Sequence, residues 1–217
     1  GASPITAIEL LARCQKVNPQ TTVVGIEIDR ERVARGEAVA HDRLRFQLGG
    51  FEVPMPPELA SRKADIIRAF NVLRQYDESE VAAAWALMQG RLSEHGWLIE
   101  GTCDEIGRLA SWITLDATAP RWFTISLRLS GLDEPSKVAE RLPKALIHRN
   151  VVGEKIHEYL TALDEAWRVN SPLSTFGANQ RWVAVCEAML AQGWPVKNEP
   201  RRFKLGEITV DWAAVAP

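Results

Sequence analysis

The chain has 217 residues, 46% hydrophobic and 25% charged; these are ordinary folded-domain values and exclude intrinsic disorder and fibrous repeats. Its 26 Lys and Arg against 28 Asp and Glu give a net charge of -2, so binding to long nucleic acid is not expected. Three distant cysteines, Cys14, Cys103 and Cys186, show no CxxC spacing, which predicts neither a disulfide framework nor a zinc site and points to a reducing cytoplasm.

Residues 4–17 place Ile5, Ile8, Leu11 and Cys14 on one face, a helical period. Ser3 and Pro4 suit its N-cap and first position, and Asn18-Pro19 ends it. Residues 21–29 (TTVVGIEID) are β-branched and almost continuously apolar, the pattern of a strand buried on both faces in a parallel sheet. A charged helix at 30–40 and a short strand at 44–48 follow. After the proline-rich loop at 53–57, residues 64–70 (ADIIRAF) read as a strand, 78–92 as a helix and 96–103 (GWLIEGTC) as a fourth strand. Strands alternating with helices predict a doubly wound, mostly parallel, Rossmann-like α/β sheet.

From Arg108 onward the pattern changes. Strands at 111–115 and 121–129 flank the turn Ala117-Thr118-Ala119-Pro120, in the manner of a hairpin. Helical stretches at about 135–146, 153–168 and 178–192 precede a last strand at 206–212. We expect one domain over 1–217, with the later part a largely helical decoration. No apolar run approaches the roughly 18 residues of a membrane span. The start, Gly1-Ala2-Ser3-Pro4, lacks the basic and apolar regions of a signal peptide. All eight tryptophans lie between Trp85 and Trp212; they suit core packing, or else an aromatic ligand pocket.

Ligands of open parallel sheets bind beyond the carboxyl ends of the strands. After 21–26 come Glu27 and Asp29, which suit a ribose diol or the cap of the next helix. Gly49-Gly50-Phe51-Glu52 offers close backbone approach and a ring to cover a flat ligand, or simply a turn and a core residue. Asn71, after the strand at 64–70, either meets a polar ligand or braces its loop. His148 and His157 share no metal-ligand spacing, so no metal is expected.

The ordered set GASP, VVGIEID, LGGFEVP, ADIIRAFNVLRQY and GWLIEGTCDE resembles the class I S-adenosylmethionine (SAM)-dependent methyltransferases over about residues 1–105. The resemblance implies a seven-stranded Rossmann-like sheet, SAM as cofactor, and methyl transfer by direct displacement. It also implies that the family's first strand and most of its glycine-rich turn would precede Gly1. Carried over residue by residue, Gly1 and Ala2 match the tail of that turn, and Glu27 the ribose acid beside Ile28. Gly50, Phe51 and Glu52 match the adenine stretch, and Phe70 and Asn71, after the strand at 64–70, the loop past the family's fourth strand. Residues 1–105 would then be the cofactor-binding core and 106–217 the substrate-side elaboration with the last strands.

The catalytic residue and the acceptor stay open at this point. Arg74, Tyr76, His148 and Arg149 are candidates to hold a small, planar or anionic molecule, because guanidinium and aromatic groups suit such partners. A non-catalytic cofactor-binding or regulatory module with the same fold is the alternative function.

Overall fold

The computed structural model describes residues 3–217. Two units are distinguished, one of residues up to Ala64 together with Ala84–Arg91, the other of Asp65–Ala83 together with Leu92–Pro217.

The first unit contains α1 (Ile5–Cys14), β1 (Val23–Glu27), α2 (Arg30–Glu37) and β2 (Leu44–Leu48). β1 and β2 pair in parallel, with Val23 opposite Leu44 and Glu27 opposite Leu48. The crossover is α2, started by Asp29, whose carboxylate accepts the Arg32 amide at 3.0 Å. That amide, foremost among several favourable contacts, holds the Asp29 carboxyl below its ordinary range. The ring of Phe46 occupies space that glycine leaves on both neighbours: a Cβ at Gly25 or Gly36 would come within 2.7 or 2.4 Å of it. Such close approach explains a glycine inside α2, where propensity disfavours one. β1 is half-buried at every position rather than sealed on both faces. Among the described residues its sheet has two strands, so one edge of β1 lacks a strand neighbour.

The second unit holds a five-stranded sheet in the order β3-β4-β5-β6-β7, formed by Ala64–Phe70, Leu92–Cys103, Leu109–Leu115, Pro120–Leu127 and Glu207–Asp211. β3 and β4 run parallel, as the bonds from the Ala64 amide to the Arg91 carbonyl and from the Asn71 amide to the Gly101 carbonyl show. The chain between them includes α3 (Val81–Gln89). The other three pairings, β4–β5, β5–β6 and β6–β7, are antiparallel. Here the expectation of a seven-stranded, mostly parallel sheet needs correction: among the described residues seven strands form two sheets, and antiparallel pairs predominate in the larger. The reason lies in the connections. Residues 104–108 and 116–119 are too few for a crossover, which takes a dozen or more, so β4, β5 and β6 must reverse direction.

The β5–β6 hairpin is organised by Asp116. Its carboxylate accepts the Thr118 amide and hydroxyl at 2.7 Å each and the Ala119 amide at 2.9 Å, and it pairs with Arg121. Desolvation pushes this carboxyl up, but the Thr118 bonds, with Ala119 and Arg121, overcome it and hold the group well below its ordinary value of 3.8. A carboxyl depressed in the folded state contributes stability above its unfolded value and loses it as the pH falls toward the folded one. Asp116→Asn is therefore expected to melt below the wild type at neutral pH, with the gap closing under strongly acidic conditions. A gap independent of pH in thermal melts would show that the turn does not depend on the charge.

One face of this sheet is sealed by α5 (Lys155–Val169) and α6 (Ala178–Ala191). Phe123 of β6 meets Tyr159 edge-on at 6.4 Å between centroids, and Trp167 meets Trp182 at 6.3 Å. Phe123 is fully buried, as are Tyr159 of α5 and Trp182, Val185 and Met189 of α6, the helical ones on the apolar faces that a helical period predicts. Arg181 lies over the Trp167 ring at 3.6 Å and donates to the Trp167 carbonyl at 3.0 Å. The buried hydroxyls of Thr102 and Ser111, from β4 and β5, both donate to the Arg141 carbonyl, Ser111 at 2.6 Å. They pin the end of a 3-10 helix, Pro135–Arg141, to the sheet just before α4 (Lys144–Ile147).

Candidate functional site

The parallel β1–β2 pair brings its carboxyl ends together, with Glu27 opposite Leu48 and the Gly49 amide donating to the Glu27 carbonyl at 3.0 Å. Ile28, Gly50 and Glu52 converge at this end. A Cβ on Gly50 would stand 3.2 Å from Glu52 Oε2 and 3.9 Å from Ile28 Cγ2, so bare backbone keeps the space between them open. Ile28 is 72% exposed, an apolar surface turned to solvent beside two carboxylates. Glu52 accepts the Gly50 amide at 2.9 Å, and this bond, then its own amide, holds its carboxyl below the ordinary range. It stays ionised near neutrality, able to accept from an amine. Glu27 pairs with Arg32 at 3.6 Å. Asp29, its competitor in the sequence, is engaged at the start of α2. Phe51 is half-buried next to this cluster in the chain. The expectations for Gly1 and Ala2 lie outside the described residues.

Phe70 and Asn71 lie in the second unit. Phe70 has the Arg68 guanidinium 4.1 Å above its ring and Trp112 at 6.2 Å. Asn71 holds a positive φ of 59°, which asparagine tolerates better than most residues. It braces β3 to β4: its Oδ1 accepts the Cys103 amide at 3.0 Å and its Nδ2 donates to Cys103 Sγ at 3.3 Å.

Of the four acceptor candidates, the structure brings two together. Arg74 and His148 line one cavity of about 160 Å³ with Leu142, Lys144 and Ile147. Arg149 instead donates to Glu78 at 2.9 Å and lies 3.5 Å from Glu154. Tyr76 ends the 3-10 turn Leu73–Gln75 and is not a lining residue. Lys144 escaped sequence reasoning, having no motif around it; only the fold brings it near Arg74. A second groove of about 420 Å³ crosses the sheet face opposite α5 and α6. Phe70, Trp97, Trp112 and Trp122 line it, Trp97 and Trp122 with ring centroids 4.9 Å apart and Lys197 lying 3.3 Å above Trp122. No group of His, Cys, Asp or Glu among the described residues is arranged to hold a metal.

No family model matches the chain, and no curated protein sequence does either. Solved structures similar to it include human N-acetylserotonin methyltransferase in complex with SAM, 20% identical over 47% of this chain and 29% of that one, at a TM-score of 0.35. Magnesium protoporphyrin IX methyltransferase from Synechocystis PCC 6803 with bound SAH is 13% identical over 46% of this chain and 55% of that one, at 0.33. LepI in complex with SAM is 10% identical over 43% of this chain and 23% of that one, at 0.34. The matched parts are thus less than two thirds of each of those proteins. They are partial likenesses at low identity, so the residues themselves must carry any assignment.

Proposed function

We propose that this chain belongs to a SAM-dependent methyltransferase acting on a small molecule, with both units as parts of one methyltransferase-like domain. The observation that carries the reading is the convergence of Glu27, Ile28, Gly50 and Glu52 at the carboxyl ends of a parallel β1–β2 pair. A ribose diol needs an acceptor carboxylate at such a strand end, which Glu27 supplies. A purine needs an apolar flank and an acceptor for its exocyclic amine, which Ile28 and the ionised Glu52 supply, with Gly50 leaving room for the ring. The donor set fits the cofactor. When bound, SAM supplies an electrophilic methyl group that the acceptor displaces from sulfur. The protein's part is positioning, with a proton acceptor where the nucleophile carries a proton.

The second unit would carry the acceptor, a small molecule rather than long nucleic acid, given the slightly acidic chain. No helix among the described residues is long and apolar enough to cross a membrane, and Cys14, Cys103 and Cys186 are unpaired. We place the protein in the cytoplasm on the cysteines.

S-adenosylhomocysteine at 100 times its dissociation constant is expected to stabilise the complete natural protein by about 2.7 kcal/mol, a rise of roughly 5–10 °C in Tm. Calorimetry with SAM, S-adenosylhomocysteine and NAD compares the cofactors directly. Binding of NAD alone would move the protein to nucleotide-dependent redox chemistry, and binding of none would remove the cofactor.

A further inference from the structure

The geometry points to an oxyanion site in the second unit, a cavity in which Arg74, Lys144 and His148 hold the phosphate group of a small molecule. It stands independently of methyl transfer. The cavity has about 160 Å³, with Leu142 and Ile147 as its apolar wall, Leu142 fully buried. It opens to solvent at the exposed His148, so it seats a charged headgroup while the rest of a ligand can lie outside.

Charge decides which headgroup. The lining residues include two permanent cations and an imidazole, and no acid. Arg45, Arg121, Arg168 and Arg202 pair with the carboxylates of Glu58, Asp116, Glu165 and Glu207. Arg149, beside His148 in the chain, has two. Arg74 has none among the described residues; its guanidinium reaches only the Glu140 carbonyl, at 3.4 Å. Lys144 has no acid partner there either. Cations of one sign gathered at an apolar wall repel one another unless an anion joins them. An arginine fork and a lysine point charge together suit a doubly charged phosphate better than a singly charged carboxylate.

The walls are fixed before any ligand arrives. The Arg141 carbonyl, one residue before Leu142, is held by the Thr102 and Ser111 hydroxyls. Arg74 follows Leu73, which is fully buried, so its stem leaves from an anchored point. A preformed site binds without the cost of ordering its walls.

The test is calorimetry of the full chain with inorganic phosphate, glycerol phosphate and acetate, at low and then physiological salt. Phosphate or glycerol phosphate is expected to bind at both salts and acetate at least tenfold more weakly; the tighter of the two separates free phosphate from a phosphomonoester. Arg74→Gln and Lys144→Gln are each expected to weaken binding tenfold or more with melting unchanged, while Arg168→Gln leaves it as it was. If a variant fails to fold, the His148 imidazole resonances of the wild type decide, since they must shift and saturate with the same Kd. No binding of either phosphate, equal binding in the variants, acetate binding as tightly as phosphate, or silent His148 resonances would overturn the site. Cofactor binding is read separately, so its failure leaves this result intact.

Discussion

Gly206→Ala is expected to destabilise the protein by about 3–5 kcal/mol, near the upper end for single substitutions. Gly206 immediately precedes β7 with φ of +83°, and an added Cβ would fall 2.1 Å from the Leu127 carbonyl oxygen. That oxygen is backbone, so no side-chain rotation relieves the clash. The Leu127 amide also donates to the Gly206 carbonyl at 2.9 Å, so moving the chains apart loosens the junction of β6 and β7. Gly177 separates conformation from contact: its φ is +101°, but a Cβ there meets nothing within 4 Å. Gly177→Ala should cost only about 1–3 kcal/mol, from backbone strain. Urea denaturation of both variants compares them; equal losses would mean that the Leu127 contact adds nothing.

Glu27→Ala is expected to weaken cofactor binding about ten- to a hundredfold, because charge-assisted bonds to a ribose are worth roughly 1.5–3 kcal/mol. Loss of its pair with Arg32 should cost little, since Arg32 lies at the surface and such pairs contribute about 0–1 kcal/mol. Asp29→Ala should do the reverse, losing about 1 kcal/mol of helix cap and binding normally. Titration of S-adenosylhomocysteine into both proteins reads the difference. If Glu27→Ala destabilises the fold and binds as the wild type does, the carboxylate is structural and does not hold the ribose.

The helices and strands were legible where one periodicity ran without interruption. The stretch at 153–168 became Lys155–Val169, and that at 178–192 became Ala178–Ala191. β4 begins at Leu92 rather than at Gly96, because Ser93-Glu94-His95 carry no apolar alternation and the pairing with β3 decides their shape. Strand direction was the larger loss. The β-branched run at 23–26 suits a parallel pair and forms one, but the direction of β5 and β6 is set by short connections.

The candidate site divided similarly. Glu27 and the Gly49-Gly50 turn lie beside each other through β1–β2 register, which a βαβ unit implies. Arg74 and His148 meet across distant stretches of chain, and nothing local predicts it. His148 and Arg149 are neighbours in sequence but take different surroundings, the first a cavity and the second two carboxylates.

The tryptophans divide optically as they do structurally. Trp167 and Trp182 are sealed, whereas Trp97, Trp112 and Trp122 are half-buried along the open sheet face. Sealed indoles emit at shorter wavelength and escape collisional quenchers; half-buried ones do neither. The emission of this protein therefore contains these two populations, on opposite sides of one sheet, beside that of Trp85, Trp194 and Trp212. Trp97 and Trp122, at 4.9 Å, are close enough for their transitions to couple and give a signed near-ultraviolet dichroism. Whatever settles on that face alters the redder emission and the coupled band, leaving the sealed pair as an internal standard.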